Sequence, residues 1–169
     1  KEYLELAQAM PNNAIALGNA NFSLGNSNRK LGNPALAMEY YKKSLAIREK
    51  IGDLSGIALS NWGIGQSYLN KKDYQKALKH LDIALKTNKS VKNPFQDAVI
   101  LLSRVPTYLA LEDFVNAEQT SNLALEKAKE SNSKALVGDV VKAQVEIAAA
   151  QRKFDEALKL QSHYIAIKD

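Results

Sequence analysis

The stretch Asn61–Leu85, NWGIGQSYLNKKDYQKALKHLDIAL, decides the fold. Apolar and small residues recur along it at helical spacing, and the polar turn Asn70–Asp73 interrupts them. It therefore reads as two amphipathic helices joined by a short connection. Stepping by forty from Ala77 gives Ala37, Ala117 and Ala157. Stepping from Gly18 gives Ala58, Ala98 and Gly138, all small. Leu45, Leu85, Leu125 and Ile165 are aliphatic, and Pro34, Tyr74, Phe114 and Phe154 form a mostly aromatic column. Several columns kept in register at one interval mark a repeat array. Helical periodicity inside each unit excludes a propeller of strands.

The columns have a packing reason. Two helices approach closely only where side chains are small, so a Gly or Ala column marks a crossing. One helical hairpin cannot bury both its faces, so neighbours must stack. The fold class expected is all-α, a right-handed superhelical solenoid of antiparallel helix pairs. It comprises about four hairpins after a leading partial helix: 1–13 the end of a preceding repeat, then repeats at 14–53, 54–93, 94–133 and 134–169. The chain starts and stops within second helices, so it is expected to be a segment of a longer protein.

Within the first repeat, Ala14–Leu31 is predicted as the first helix, with Pro11-Asn12-Asn13 breaking whatever precedes it. Asn33-Pro34 opens the second helix, Asn as cap and Pro in the first turn, and Gly52-Asp53 closes it. Leu54–Asn70 and Tyr74–Lys89 follow, with Asp73 as cap. Asn93-Pro94 opens the third repeat, whose helices are Phe95–Leu111 and Phe114–Glu130, capped by Asp113. Lys134–Gln151 and Phe154–Lys168 form the fourth. Pro106 falls inside a predicted helix, where it removes one hydrogen bond and is expected to bend it.

These residues resemble the tetratricopeptide repeat family. Gly65, Tyr68, Ala77 and Ala84 fall at its signature spacings, as do Leu24, Gly25, Gly32 and Ala37, and then Tyr108, Ala117 and Ala124. The forty-residue interval departs from that family's usual 34 or so. It is similar to the longer-helix branch that includes scaffold proteins, kinesin light chains and bacterial signalling proteins. The stretch YYKKSLAIREKIGDLSGIA is similar to repeats fused to bacterial sensor kinases and regulators.

The resemblance implies that the first helix of each repeat lines a concave groove where a partner lies. By register, the groove residues are Asn19, Phe22, Asn26, Arg29 and Lys30. The second repeat contributes Leu59, Trp62, Gln66, Leu69 and Asn70, the third Val99, Leu102, Pro106 and Leu109, and the fourth Asp139, Lys142 and Glu146. Some relatives hold a peptide's terminal carboxylate with Lys, Arg and Asn. Asn26 fits one such position, but Phe22 and Trp62 stand where polar groups are needed, and Leu102 and Ser103 supply no cation. An apolar strip of Phe22, Trp62 and Leu102 suits an amphipathic helix or an extended apolar segment. Whether Trp62 and Phe22 face the groove or the core is open at this level. Tyr68 and Tyr108 are expected in the core.

Composition bounds the rest. The net charge is +5, but residues 1–92 hold 14 Lys and Arg against 7 acids, and residues 93–169 hold 9 against 11. Lys42, Lys43, Lys76 and Lys79 lie on second helices, as a solvated outer face would place them. No nucleic-acid motif accompanies the charge. No apolar run is long enough to span a membrane. There is no cysteine, hence no disulfide, thiol nucleophile or thiolate metal site. The compartment is left open between cytoplasm and periplasm. His80 and His163 are expected on the surface, without a metal-ligand partner at helical spacing. No carboxylate pair, cofactor fingerprint or catalytic constellation is legible, and Gly63 and Gly65 do not follow a strand as a phosphate loop requires. The expected function is a non-catalytic scaffold for a protein or peptide, possible as the regulatory module of a bacterial signalling protein. The alternatives are a homo-oligomerisation module and a sensor for a small ligand.

Overall fold

A computed structural model describes residues 11–168, and the side chains of residues 13–167. The segment read as the end of a preceding repeat lies outside the described residues, save for its last three positions. The described residues form eight helices: α1 Pro11–Lys30, α2 Pro34–Ile51, α3 Leu54–Asn70, α4 Tyr74–Val91, α5 Pro94–Ala110, α6 Phe114–Glu130, α7 Lys134–Ala150 and α8 Phe154–Lys168. No strand occurs among them.

The first helix starts three residues before the predicted Ala14. Pro11-Asn12-Asn13 is its opening turn, where a proline has no intrahelical N–H bond to lose. Pro106 is accommodated as well: α5 continues for another turn beyond it, with the ring exposed.

The turns share one design. A residue with positive φ recurs every twenty positions: Gly32, Gly52, Lys72, Lys92, Glu112, Asn132 and Arg152. The N–H of the following residue reaches back to the carbonyl five residues earlier, at 2.9–3.0 Å for Asn33, Asp53, Asp73, Asp113 and Lys153. That is the six-to-one closure of a helix C-terminus. The same residue then sits at the N-cap of the next helix. Asp53, Asp73, Asn93, Asp113 and Ser133 each accept a hydrogen bond from the backbone N–H three residues on. Asn33 occupies the position expected of it but its side chain makes no capping bond. Asp53, read above as closing the second helix, is the cap of the third.

The chain divides into two compact units, residues 1–91 and 92–169. In the first, α1 pairs with α2 and α3 with α4; α2 also packs on α3, and α1 touches α3. The second repeats the scheme with α5 to α8. Each unit is thus a stacked pair of helical hairpins. The small columns carry the packing: Ala37, Ala58, Ala77, Ala98 and Ala117 are fully buried. The columns fail only in α8. Phe154, Leu158 and Ile165 are 64, 67 and 53% exposed, because no described helix lies over them.

Candidate functional site

The site is built at the crossing of α1, α2 and α3. On α1, Asn19, Phe22 and Asn26 fall at helical positions i, i+3 and i+7, so they form one stripe. Asn19 is exposed and the other two are half-buried. Across from them on α3 lies Trp62, also half-buried, with its ring centroid 6.2 Å from that of Phe22. Phe22 in turn meets Tyr41 at 5.6 Å. It also packs against a core of Ala37, Met38, Tyr41 and Ile64. Both aromatic rings therefore have a core edge and an exposed edge. Such pairs contribute beyond their buried area.

The remaining groups come from α2, a second helix. Tyr41 is fully buried, yet its hydroxyl donates to Asn26 Oδ1 at 2.7 Å. Arg48 is 3% exposed, yet its Nη2 donates to Asn19 Oδ1 at 2.7 Å. Both reach across because glycines leave room. A Cβ placed on Gly25 of α1 or on Gly63 of α3 would come within 2.6 Å of the Tyr41 ring. A Cβ on Gly18 would meet Arg48 Nε at 3.1 Å, and one on Gly56 would overlap the same side chain. Gly18 and Gly25, Gly56 and Gly63, and Tyr41 and Arg48 are each seven residues apart, two helical turns. Between them Ser44 donates to the Gly18 carbonyl at 2.9 Å and pairs with Ser60 at 3.0 Å.

The electrostatics are unusual for an interior. Arg48 lies 3.5 Å from Asp53 and 5.8 Å from the Phe22 ring, and its Nε has no partner. Burial draws its pKa down, with Asp53 opposing. The Arg29 guanidinium stands 6.0 Å from the Trp62 ring. Burial raises the Tyr41 pKa, and the nearby Arg29 cation works against the rise.

Of the residues expected to line the groove, Asn19, Phe22, Asn26, Arg29 and Trp62 come together here. Lys30 is exposed at the end of α1, and Leu59 and Gln66 are half-buried on α3. In the second unit Val99 and Leu102 are half-buried on α5, Pro106 is exposed beside them, and Lys142 is exposed on α7. That surface has no aromatic pair among its expected lining residues. Its arginine, Arg104, folds onto Tyr108, donating to the hydroxyl at 2.7 Å. Tyr108 is buried as expected, while Tyr68 is half-buried.

Sequence reasoning missed Tyr41 and Arg48, since both lie on a second helix assumed to face outward. A signal existed. Tyr41 falls in a column with Ser121, and the column positions flanking them are Gly25 and Gly63 in one case, Val105 and Ala143 in the other. A large residue on one helix is matched by glycines on its neighbours. His80 is also corrected: it is half-buried, stacked on Tyr68 at 5.5 Å, with Nδ1 3.0 Å from Asn61 Oδ1. No group of three metal-ligating side chains occurs among the described residues. No described helix is long and apolar enough to cross a membrane.

No protein-family model matches the chain, and no curated protein matches it. Among solved structures it is similar to the crystal structure of BtubC (BKLC) from P. vanneervenii, with a TM-score of 0.84 at 20% identity. The match covers 98% of this chain and 68% of that one. At that identity the likeness speaks to the fold alone, and with the eight helices it makes this chain an all-α protein of helical-repeat type.

Proposed function

We propose that the chain is a non-catalytic binding module of the tetratricopeptide type, and that the face of its first helices receives a peptide segment of a partner protein. The observation that carries this reading is the Phe22–Trp62 pair, half-exposed beside Arg29. Aromatic and arginine side chains in a partly desolvated setting are the residues on which binding energy concentrates. A role as the regulatory part of a signalling protein follows from the resemblance and belongs to the same proposal.

Trp62 is the sole tryptophan, so its fluorescence reports on the site directly. A bound peptide is expected to shift or quench that emission. Trp62→Ala is expected to weaken binding about tenfold or more, while the melting transition stays cooperative because the ring is only half-buried. Unchanged affinity in a folded Trp62→Ala protein would overturn the proposal. Collapse of the mutant's melt would assign the ring to the core.

One observation favours a second reading, self-association. Phe154, Leu158 and Ile165 give α8 an exposed apolar face. Light scattering separates the two readings: a monomer at high concentration excludes self-association, and a dimer abolished by Leu158→Glu supports it.

A further inference from the structure

We infer that the second unit carries a small-ligand site of its own: a cleft between α6, α7 and α8 that takes an arylalkylamine, an aromatic ring bearing an ammonium group on a short tether. The inference concerns a different surface from the binding face proposed above and does not depend on it.

The cleft has a volume of about 300 Å³, and its lining includes Glu118, Ser121, Ala148, Lys153, Glu156 and Leu160. That size lies at the small end of ligand sites. Its chemistry can be read from within the chain, because eighty residues earlier, two repeat intervals back, side chains fill the same positions. There Tyr68 packs against the cluster that holds Met38 and Tyr41, and its ring stacks on His80 at 5.5 Å. Eighty residues on, Ser121 stands for Tyr41, Ala148 for Tyr68 and Leu160 for His80. Two rings are gone from one helix crossing. Ser121 does not reach into the space, since its hydroxyl donates to the Glu118 carbonyl of its own helix at 2.9 Å. Ser121, Ile147 and Ala148 are 1, 2 and 3% exposed, so they form a closed floor. Replacing large side chains by small ones leaves room because the surrounding helices close in only partly.

The charges at the rim are inverted as well. In the first unit Lys76 Nζ stands 5.6 Å over the Tyr68 ring and pairs with Asp73 at 2.7 Å. Eighty residues on, Glu156 stands for Lys76, Lys153 for Asp73 and Glu118 for Met38. Lys153 pairs with Glu118 at 2.9 Å. Its pKa is held up by that hydrogen bond first, and Glu156 adds to the rise. Two carboxylates thus share one lysine. The first unit supplies a ring and an ammonium over it from its own side chains. The second supplies room for the ring and carboxylates for the ammonium. A molecule that brings both completes the same arrangement. Burial of the ring gives the apolar part of the affinity. The carboxylates favour a cation over a neutral ring and repel an acidic one.

The test uses the full chain and tyramine, titrated by calorimetry. Tyramine is expected to bind and to raise the melting temperature. p-Cresol, a ring without the ammonium, and p-hydroxyphenylacetate, with a carboxylate in its place, are each expected to bind at least about tenfold more weakly. Ala148→Tyr restores the side chain of the first unit. It is expected to raise the melting temperature by itself and to abolish tyramine binding. Glu156→Lys lies on the exposed rim, so it keeps the test decisive if Ala148→Tyr does not fold. It is expected to weaken tyramine at least about tenfold with little change in melting. Trp62→Ala is expected to bind tyramine as the wild type does, so this site and the groove stand or fall separately. No binding up to about 10 mM tyramine overturns the inference. So does equal affinity for p-cresol, full affinity in Glu156→Lys or in a folded Ala148→Tyr, or loss of binding in Trp62→Ala.

Discussion

At Tyr41 the protein places an aromatic ring between two backbones, and the cost of disturbing it is calculable in direction. Gly63→Ala puts a methyl where the ring already is, within 2.6 Å. Overpacking of this kind costs about 1–3 kcal/mol. Pairing it with Tyr41→Ser, which copies the column combination of Ser121 with Ala143, is expected to make the double mutant lose less than the sum of the singles. Urea denaturation of the four proteins checks this; strict additivity would mean that the ring and the glycine are not coupled. His80 makes a second residue-scale prediction. Asn61 donates its Nδ2 to the Ile57 carbonyl, so its oxygen faces His80 Nδ1, which must then carry the proton. Burial first, then Lys79 and Lys42, push the imidazole pKa below its ordinary value of 6.5. The unfolded chain therefore binds a proton more readily than the folded one. Stability is present above pH 6.5 and declines as pH falls through that value toward the lower folded pKa. Thermal melts across this range are expected to show the decline, and His80→Gln to flatten it.

The element scale is governed by the turns. A residue every twenty positions adopts the left-handed conformation, glycine at 32 and 52 and a side-chain-bearing residue at the five later turns. For residues with a Cβ that conformation costs about 1–2 kcal/mol. Part of this returns as backbone entropy when glycine replaces them. Glu112→Gly and Arg152→Gly are therefore expected to stabilise by up to about 1 kcal/mol, a few degrees in Tm. Asn132→Gly should give least, because asparagine tolerates this region. Gly52→Ala should lose about 1 kcal/mol. Differential scanning calorimetry of the set would show the ranking; no gain at Glu112 or Arg152 would mean that their turn carbonyls and caps already offset the strain.

For the molecule as a whole, stacked hairpins make stability a matter of neighbours. A helix covered on one side only has fewer buried contacts and opens more readily. Among the described helices of the second unit, α8 bears the exposed Phe154, Leu158 and Ile165, whereas the α6 counterpart Leu125 is half-buried. Hydrogen exchange is expected to be faster along α8 than along α6 or α7. Equal protection of α8 and α7 would show that something covers that face in solution.

What the sequence determined by itself is what local chemistry governs. Helices, their small crossing columns and most caps follow from spacing and from the backbone habits of Asn, Asp, Gly and Pro, which act over a few residues. The exposed groove stripe of Asn19, Phe22 and Asn26 was legible for the same reason, since helical periodicity alone puts them on one face. The roles of Tyr41 and Arg48 were decided only by the tertiary structure. They depend on glycines 8 to 30 positions away on the flanking helices, and on hydrogen bonds from Tyr41 to Asn26 and from Arg48 to Asn19. No short window along the chain contains a side chain and the glycines on both its flanks, so periodicity could place these side chains on a helix but could not show that they pass between two others.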